Sequence, residues 1–188
     1  RLCELAQELL LPLVMYTEGG GGRPGDTDVA TQIAGLNTKS FSTWAALSGK
    51  VPRIAVNNGY CFAGNAALFG CADFCIATRK SWIGMAGPAM IEGGGLGKHE
   101  PTAIGPIEVQ EKNGVVDIVA EDEAHATALA KQLLSYFQGA VSDWETVAQE
   151  TLRDAIPEDR RWGYPVRRII ETIADTGSFL ELQRIYGR

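Results

Sequence analysis

Residues 53–77, RIAVNNGYCFAGNAALFGCADFCIA, carry the pattern that decides the fold. Arg53-Ile54-Ala55-Val56-Asn57 follows Pro52 and reads as a short buried strand, rich in apolar and β-branched residues. NGYCFAGN (58–65) is a glycine-bearing turn, and AALFG (66–70) continues it as a short helix of small residues. Asp73-Phe74-Cys75-Ile76-Ala77 is the next strand. Strand, turn, helix and strand in such quick succession predict α/β layering.

The same alternation extends outward. Residues 2–10 place Leu2, Leu5 and Leu9 at helical spacing, Pro12 ends that helix, and LVMY (13–16) reads as a strand. TEGGGGRPGD (17–26) is a loop ending in Asp26 and Thr27, either of which can cap a helix through about Ser48. Downstream come SWIGM (81–85), AGPAMI (86–91) and the EGGGLG loop (92–97). A strand is expected at Val115–Val119. An amphipathic helix follows at 121–137, with Ala124, Ala128, Leu129, Leu133 and Phe137 on one side. Residues 138–163 are polar, with a short helix expected around Trp144–Ala155. A last helix follows Pro165, and FLEL (179–182) resembles a closing strand.

With 188 residues and 45% hydrophobic content, the chain has enough material for one ordinary core. Its 22 glycines exceed the usual ~7% share without any three-residue period, which excludes collagen. The net charge is −6, and basic residues are scattered apart from Arg160-Arg161 and Arg167-Arg168, so a nucleic-acid partner is not expected. No apolar run reaches the ~18 residues of a membrane span. Cys3, Cys61, Cys71 and Cys75 lack scaffold spacing and read as thiols of a reducing compartment, the cytoplasm or, in a eukaryote, the mitochondrial matrix. No CxxC pair is present and His is scarce, so no metal site is expected.

Two glycine-rich turns follow separate strands: Gly19–Gly25 after 13–16, and Gly59–Asn65 after 53–57. Strand C-termini are where α/β sheets bind ligands. Without a Cβ, such turns can aim backbone N–H groups at one oxygen, forming an oxyanion hole. They can equally be ordinary tight turns. Neither is a nucleotide loop, and no GxSxG elbow occurs. His125 sits within the amphipathic helix, where a structural or solvent-facing role is expected, and His99 lies beside Glu100 after the third glycine loop. Arg23, Arg79 and Lys80 follow strands and are candidates for an anionic ligand or for plain surface charge.

PLVMYTEGGGGRPGD, IAVNNGYCFAGNAALFGCADFCIA, GMAGPAMIEGGGLG and the helix ending in LLSYF, in that order, resemble the carboxyltransferase (beta) subunit of biotin-dependent acyl-CoA carboxylases, of the crotonase-like superfamily. The tail GYPVRRIIETIADTGSFLEL resembles that family's linker and second-domain opening. The resemblance implies an α/β, crotonase-like ββα superhelix. Residues 1–139 would be the later part of an acyl-CoA-binding N-terminal domain, 140–163 a linker, and 164–188 the start of a C-terminal domain. It also implies carboxyl transfer from N1-carboxybiotin to the α-carbon of an acyl-CoA. Biotin rides on a carrier partner, a biotin carboxylase cooperates, and the homo-oligomer completes its site at a subunit interface.

Carried over by motif, the family's Ser-Gly-Gly-Ala-Arg turn falls on Glu18–Arg23, its Ala-Gly-Gly turn on Ala63-Gly64-Asn65, and its Thr-Gly-Pro segment on Ala86-Gly87-Pro88. The resemblance then assigns Gly21, Gly22, Gly64 and Asn65 to the oxyanion hole. It assigns Arg23, Ala63, Ala86, Gly87 and Pro88 to binding the coenzyme A thioester. The sequence departs from the family at Asn65 (usually Gly), Glu18 (usually Ser), Pro165 (usually Asp) and the 92–97 loop. The strands expected before Arg1 and most of the second domain are missing, so the chain reads as a fragment expected to be inactive alone. Three alternatives remain open: a biotin-dependent decarboxylase, a crotonase-type hydratase or isomerase using Glu92 or Glu100, and a non-catalytic scaffold.

Overall fold

The computed structural model describes residues 1–20, 39–159 and 161–187. The helix expected from Asp26 or Thr27 to about Ser48 lies mostly outside them; the described part of that span holds α2 (Ser40–Ala45). Before it come α1 (Leu2–Leu9), whose Leu10 cap takes the left-handed conformation, and β1 (Leu13–Tyr16). The chain then forms β2 (Arg53–Asn57), β3 (Tyr60–Phe62), α3 (Gly64–Gly70), β4 (Phe74–Thr78) and β5 (Trp82–Gly84). After these come α4 (Pro88–Gly93), a 3-10 turn at Pro101–Ala103, α5 (Ile107–Gln110), β6 (Ile118–Ala120) and α6 (Glu123–Ser135).

β1, β2, β4 and β6 pair in that order as a parallel sheet, with Val14 beside Ile54, Ile54 beside Phe74, and Ile76 beside Ile118. β3 and β5 make a second parallel pair, joined by a bridge from Gly19 to Cys61. The chain therefore makes three similar passes: β1 to Gly19, β2 to β3, and β4 to β5. Buried Thr17, Asn57, Thr78 and Ser81 mark the corners between the sheets. Thr17 Oγ1 donates to Val56 O (3.2 Å), Asn57 Nδ2 to Gly59 O (2.8 Å), and Ser81 Oγ to Asn57 O (3.0 Å). These hydrogen bonds satisfy polar groups that would be costly to bury unpaired.

All five β2 residues are buried, as expected of a strand covered on both faces. The core runs through Ala55, Phe69, Ala77, Ile83, Ile107 and Val116. Arg53 is tolerated inside because Asp73 takes its guanidinium at 2.8 and 3.1 Å, while Nη1 donates to Trp44 O and the group lies 5.7 Å from the Trp44 ring centroid.

Several local expectations shift. The strand expected at Val115–Val119 forms at Ile118–Ala120, because the Val115 and Val116 N–H groups turn back to Gln110 O and Val116 serves the core. The buried stripe of α6 is Ala126, Leu129, Ala130 and Leu133; Ala124, Ala128 and Phe137 are exposed. Asp122 caps this helix, accepting the His125 N–H at 2.8 Å.

Residues 139–182 form a separate compact unit. The helix expected at Trp144–Ala155 is a 3-10 segment, Gln149–Asp154, and α7 (Val166–Ile173) follows Pro165 as read. Gln149 Nε2 donates to Thr172 O at 2.7 Å, tying these two pieces together. FLEL forms no strand.

Candidate active site

The carboxyl ends of β1 and β2 open onto a pocket of about 430 Å³ lined by Glu18, Gly19, Gly20, Gly59, Tyr60, Phe62, Pro88 and Pro101. It is built where the predicted glycine turns meet. Gly19 docks on β3 through its N–H to Tyr60 O (2.7 Å) and its carbonyl to the Phe62 N–H (2.9 Å). Tyr60 and Phe62 alternate on one side of β3, their ring centroids 5.5 Å apart, and form an aromatic wall. The Glu18 carboxylate accepts the Asn58 N–H at 2.6 Å, fastening the first turn to the second.

The third segment singled out in the sequence completes the pocket. Gly87 stands at the N-cap of α4 in extended conformation, with Pro88 at the first helical position and on the pocket wall. A Cβ on Gly87 would lie 3.4 Å from Gly20 O, so this helix start packs closely on the first turn. Ala86 is half-buried just before it.

Gly21, Gly22 and Arg23 lie outside the described residues. Gly64 and Asn65 open α3, where the first N–H groups of a helix have no intrahelical acceptor. Ala63 does not offer its own N–H to a ligand, because that group donates to Gly84 O at 3.0 Å. Its φ of 54° is unusual for a residue with a Cβ and turns the chain sharply from β3 into α3. The Asn65 carboxamide reaches back to the first turn, Nδ2 lying 3.1 Å from Thr17 O and 3.2 Å from Glu18 O.

The remaining ionisable candidates stand apart from the pocket lining. Glu92 pairs with Lys98 at 3.0 Å, and Arg79 pairs with Glu121 at 3.1 Å. Glu100 is exposed, His99 Nε2 lies 3.2 Å from Leu96 O, and His125 Nδ1 accepts the Glu121 N–H. Behind the pocket, burial pushes the Cys61 thiol up to about 11 against a partly offsetting hydrogen bond from Thr17, with Glu18 adding to the rise. Cys75 is pushed up to about 12, chiefly by burial and then by Asp117. Both are poor nucleophiles at neutral pH. All four cysteines are free, and no group of three or more metal-ligating side chains occurs among the described residues. No described helix is long and apolar enough to cross a membrane.

Sequence reading missed Tyr60, Phe62 and Pro101 as lining residues. The period-two spacing of Tyr60 and Phe62 was the available signal. It also missed Gly105, whose φ is +55° and whose added Cβ would fall 1.8 Å from Ile83 O, behind the β5 edge.

The family model described as carboxyl transferase domain matches residues 1–188. The chain belongs to this family. The chain is 31% identical to the methylmalonyl-CoA carboxyltransferase 12S subunit of Propionibacterium freudenreichii subsp. shermanii, over 100% of its own length and 37% of that relative's. It also matches a solved single-chain, multi-domain long-chain acyl-CoA carboxylase at 54% identity and a TM-score of 0.91, covering 100% of this chain and 18% of that one. The transcarboxylase 12S hexamer crystallised with methylmalonyl-coenzyme A matches at 30% identity and a TM-score of 0.80, over 98% of this chain and 38% of that one. The chain thus spans well under half the length of these relatives. Its two-sheet passes are the crotonase-like ββα fold.

Proposed function

We propose that this chain forms the acyl-CoA side of a biotin-dependent carboxyltransferase, as residues 1–139 of a longer catalytic assembly. The observation that carries the reading is the pocket itself: two glycine turns tied together at strand ends, closed by the Gly87-Pro88 helix start. Its likeness to carboxylase and transcarboxylase structures supports it.

The chemistry follows from what this site offers. Removing the α-proton of an acyl-CoA moves charge onto the thioester oxygen. Backbone N–H groups fixed in advance at that oxygen stabilise the enolate, each typically worth about 3 kcal/mol. Gly21 and Gly22 on the first turn and Gly64 and Asn65 on the second are the proposed donors, with Arg23 as a coenzyme A contact. Tyr60 and Phe62 give the pocket an apolar wall beside those donors. Biotin, on a carrier partner, would supply the activated carboxyl group. The family resemblance gives the thioester to this domain and most contacts of the ureido ring to a second domain.

The neighbour at 54% identity acts on long-chain acyl-CoA, and exposed Met85, Met90 and Leu96 lie on and beside α4. A long acyl chain is therefore the proposed substrate. Homo-oligomerisation, a biotin carboxylase partner and a cytoplasmic or mitochondrial-matrix setting belong to the same proposal. The test is transfer from carboxybiotin in the complete assembly across acyl-CoA esters of increasing length. Turnover rising with chain length is expected; no transfer to any ester, where a matched family enzyme transfers, overturns the reading.

A further inference from the structure

The Asn65 side chain lies at the junction of the two turns and does something the residue usual in this family cannot do. Its Nδ2 lies 3.1 Å from Thr17 O and 3.2 Å from Glu18 O, on the segment that passes from β1 into the pocket. It also fills the space beside Gly19: a Cβ there would lie 2.5 Å from Nδ2 and 2.9 Å from Cγ. Gly19 and Asn65 are thus a matched pair, one residue lacking the atom that the other displaces. Gly19 meanwhile is held to β3 on its far side through Tyr60 and Phe62.

We propose that the Asn65 carboxamide is a positioning residue of the carboxyltransferase pocket, locking the 17–20 turn against the start of α3 so that the turn, up to Gly20, keeps one fixed separation from the Gly64 and Asn65 N–H groups. This rests on the acyl-CoA reading of the pocket. The carboxamide touches no reacting atom. Its Nδ2 donates to the Thr17 and Glu18 carbonyl oxygens. A side chain without N–H donors leaves both carbonyls free to move, and a carboxylate sets a negative charge against them.

The test compares Asn65→Ala, Asn65→Gly, Asn65→Asp, Gly19→Ala and the double variant Gly19→Ala/Asn65→Ala in the complete assembly. Misplacing a catalytic donor by about 1 Å costs on the order of 10²-fold in rate. Asn65→Ala is accordingly expected to lower kcat about 10²-fold, with KM within about 3-fold, because substrate binding is retained while transition-state stabilisation is lost. Asn65→Asp falls further. Gly19→Ala, which pushes the carboxamide off its acceptors, should match Asn65→Ala, and the double variant should be no worse than either alone. Asn65→Gly, the family's usual residue, guards against simple misfolding and should show the same kcat loss at an unchanged melting temperature. Amide hydrogen exchange at Gly19 and Gly20 in this chain reads the lock without any activity, and should speed up about 10-fold in Asn65→Ala.

A kcat within about 2-fold of wild type in Asn65→Ala, a loss confined to KM, or multiplying effects of Gly19→Ala and Asn65→Ala would each overturn the lock. If wild type itself transfers no carboxyl group, the functional reading fails instead, and the exchange measurement still decides whether Asn65 fixes the turn.

Discussion

Two glycine-rich regions of this chain behave in opposite ways. Around the pocket and the β5 edge behind it, three glycines are crowded by neighbours: an added Cβ would stand 2.5 Å from Asn65 at Gly19, 2.9 Å from Phe41 at Gly64 and 1.8 Å from Ile83 O at Gly105, while Gly20 and Gly59 on the pocket lining have room for one. In the 92–97 loop an added Cβ at Gly93 or Gly95 would meet nothing within 4 Å, although Gly95 has a φ of +74° and one at Gly94 would lie 3.3 Å from Met90 O. Ion pairs also differ in setting, at the amino end of β2 and on the surface loop. Arg53 and Asp73 are locked by several hydrogen bonds beneath the sheet, whereas Lys98 and Glu92 pair in solvent, their side chains 84% and 54% exposed. Similar composition therefore marks a built site in one place and a surface loop in the other, and substitutions should separate them.

The largest effect is expected at Gly105. Gly105→Ala combines a strained positive φ with a clash against backbone that cannot move aside. It should cost more than about 4 kcal/mol in denaturant unfolding, or prevent folding; retention of near-native stability would break the distinction. Next comes Asp73→Asn, which leaves the buried Arg53 guanidinium short of its partner. Removing one member of a buried pair costs several kcal/mol, and because the Asp73 side chain is 35% exposed the expectation is about 2 kcal/mol.

This pair also sets a pH dependence. Burial alone would raise the Asp73 carboxyl, but the hydrogen bonds and charge of Arg53 outweigh it and hold the group below its ordinary value. Its folded pKa lies under the unfolded value of about 3.9. The contribution is therefore present above that pH and lost as pH falls through the folded value. Urea titrations between pH 6 and about 3 should show wild type losing its advantage over Asp73→Asn at the acid end.

The loop should answer weakly. Gly93→Ala, at the end of α4 with nothing nearby, is expected to leave stability unchanged or raise it by up to about 1 kcal/mol in thermal unfolding. Glu92→Gln breaks an exposed pair and should change stability by less than about 0.5 kcal/mol. It should also leave carboxyl transfer intact; an enoyl-CoA hydration activity that Glu92→Gln lowers by orders of magnitude would instead mark Glu92 as the acid or base of a hydratase.

Much of this comparison was legible in the sequence. Ile54–Val56 and Phe74–Ala77 are continuous apolar runs in the strands read at 53–57 and 73–77, so buried strands in an α/β layering could be read directly. β3 could not, because it has three residues and begins inside Asn58-Gly59-Tyr60, the strongest turn signal in that stretch. The buried stripe of α6 was misplaced because alanines on several faces look alike until the sheet chooses one. FLEL carried strand-like residues with no neighbouring strand to pair with. At the site, Gly19, Gly20 and Gly59 of the two glycine turns line one pocket with Pro88, whereas Ala63, Gly64, Asn65, Ala86 and Gly87 are not among its lining residues. The role of the Asn65 side chain was hidden, since it depends on how the 17–20 turn registers against α3 across more than forty residues of chain.

The most direct test of the central claim is to record backbone amide NMR shifts of this chain while titrating a long-chain acyl-CoA. Saturable shifts concentrated at Gly19, Gly20, Gly59, Tyr60 and Phe62, with Gly93 to Gly97 nearly still, are predicted. Binding that moves the 93–97 loop and leaves the two turns untouched would contradict the account.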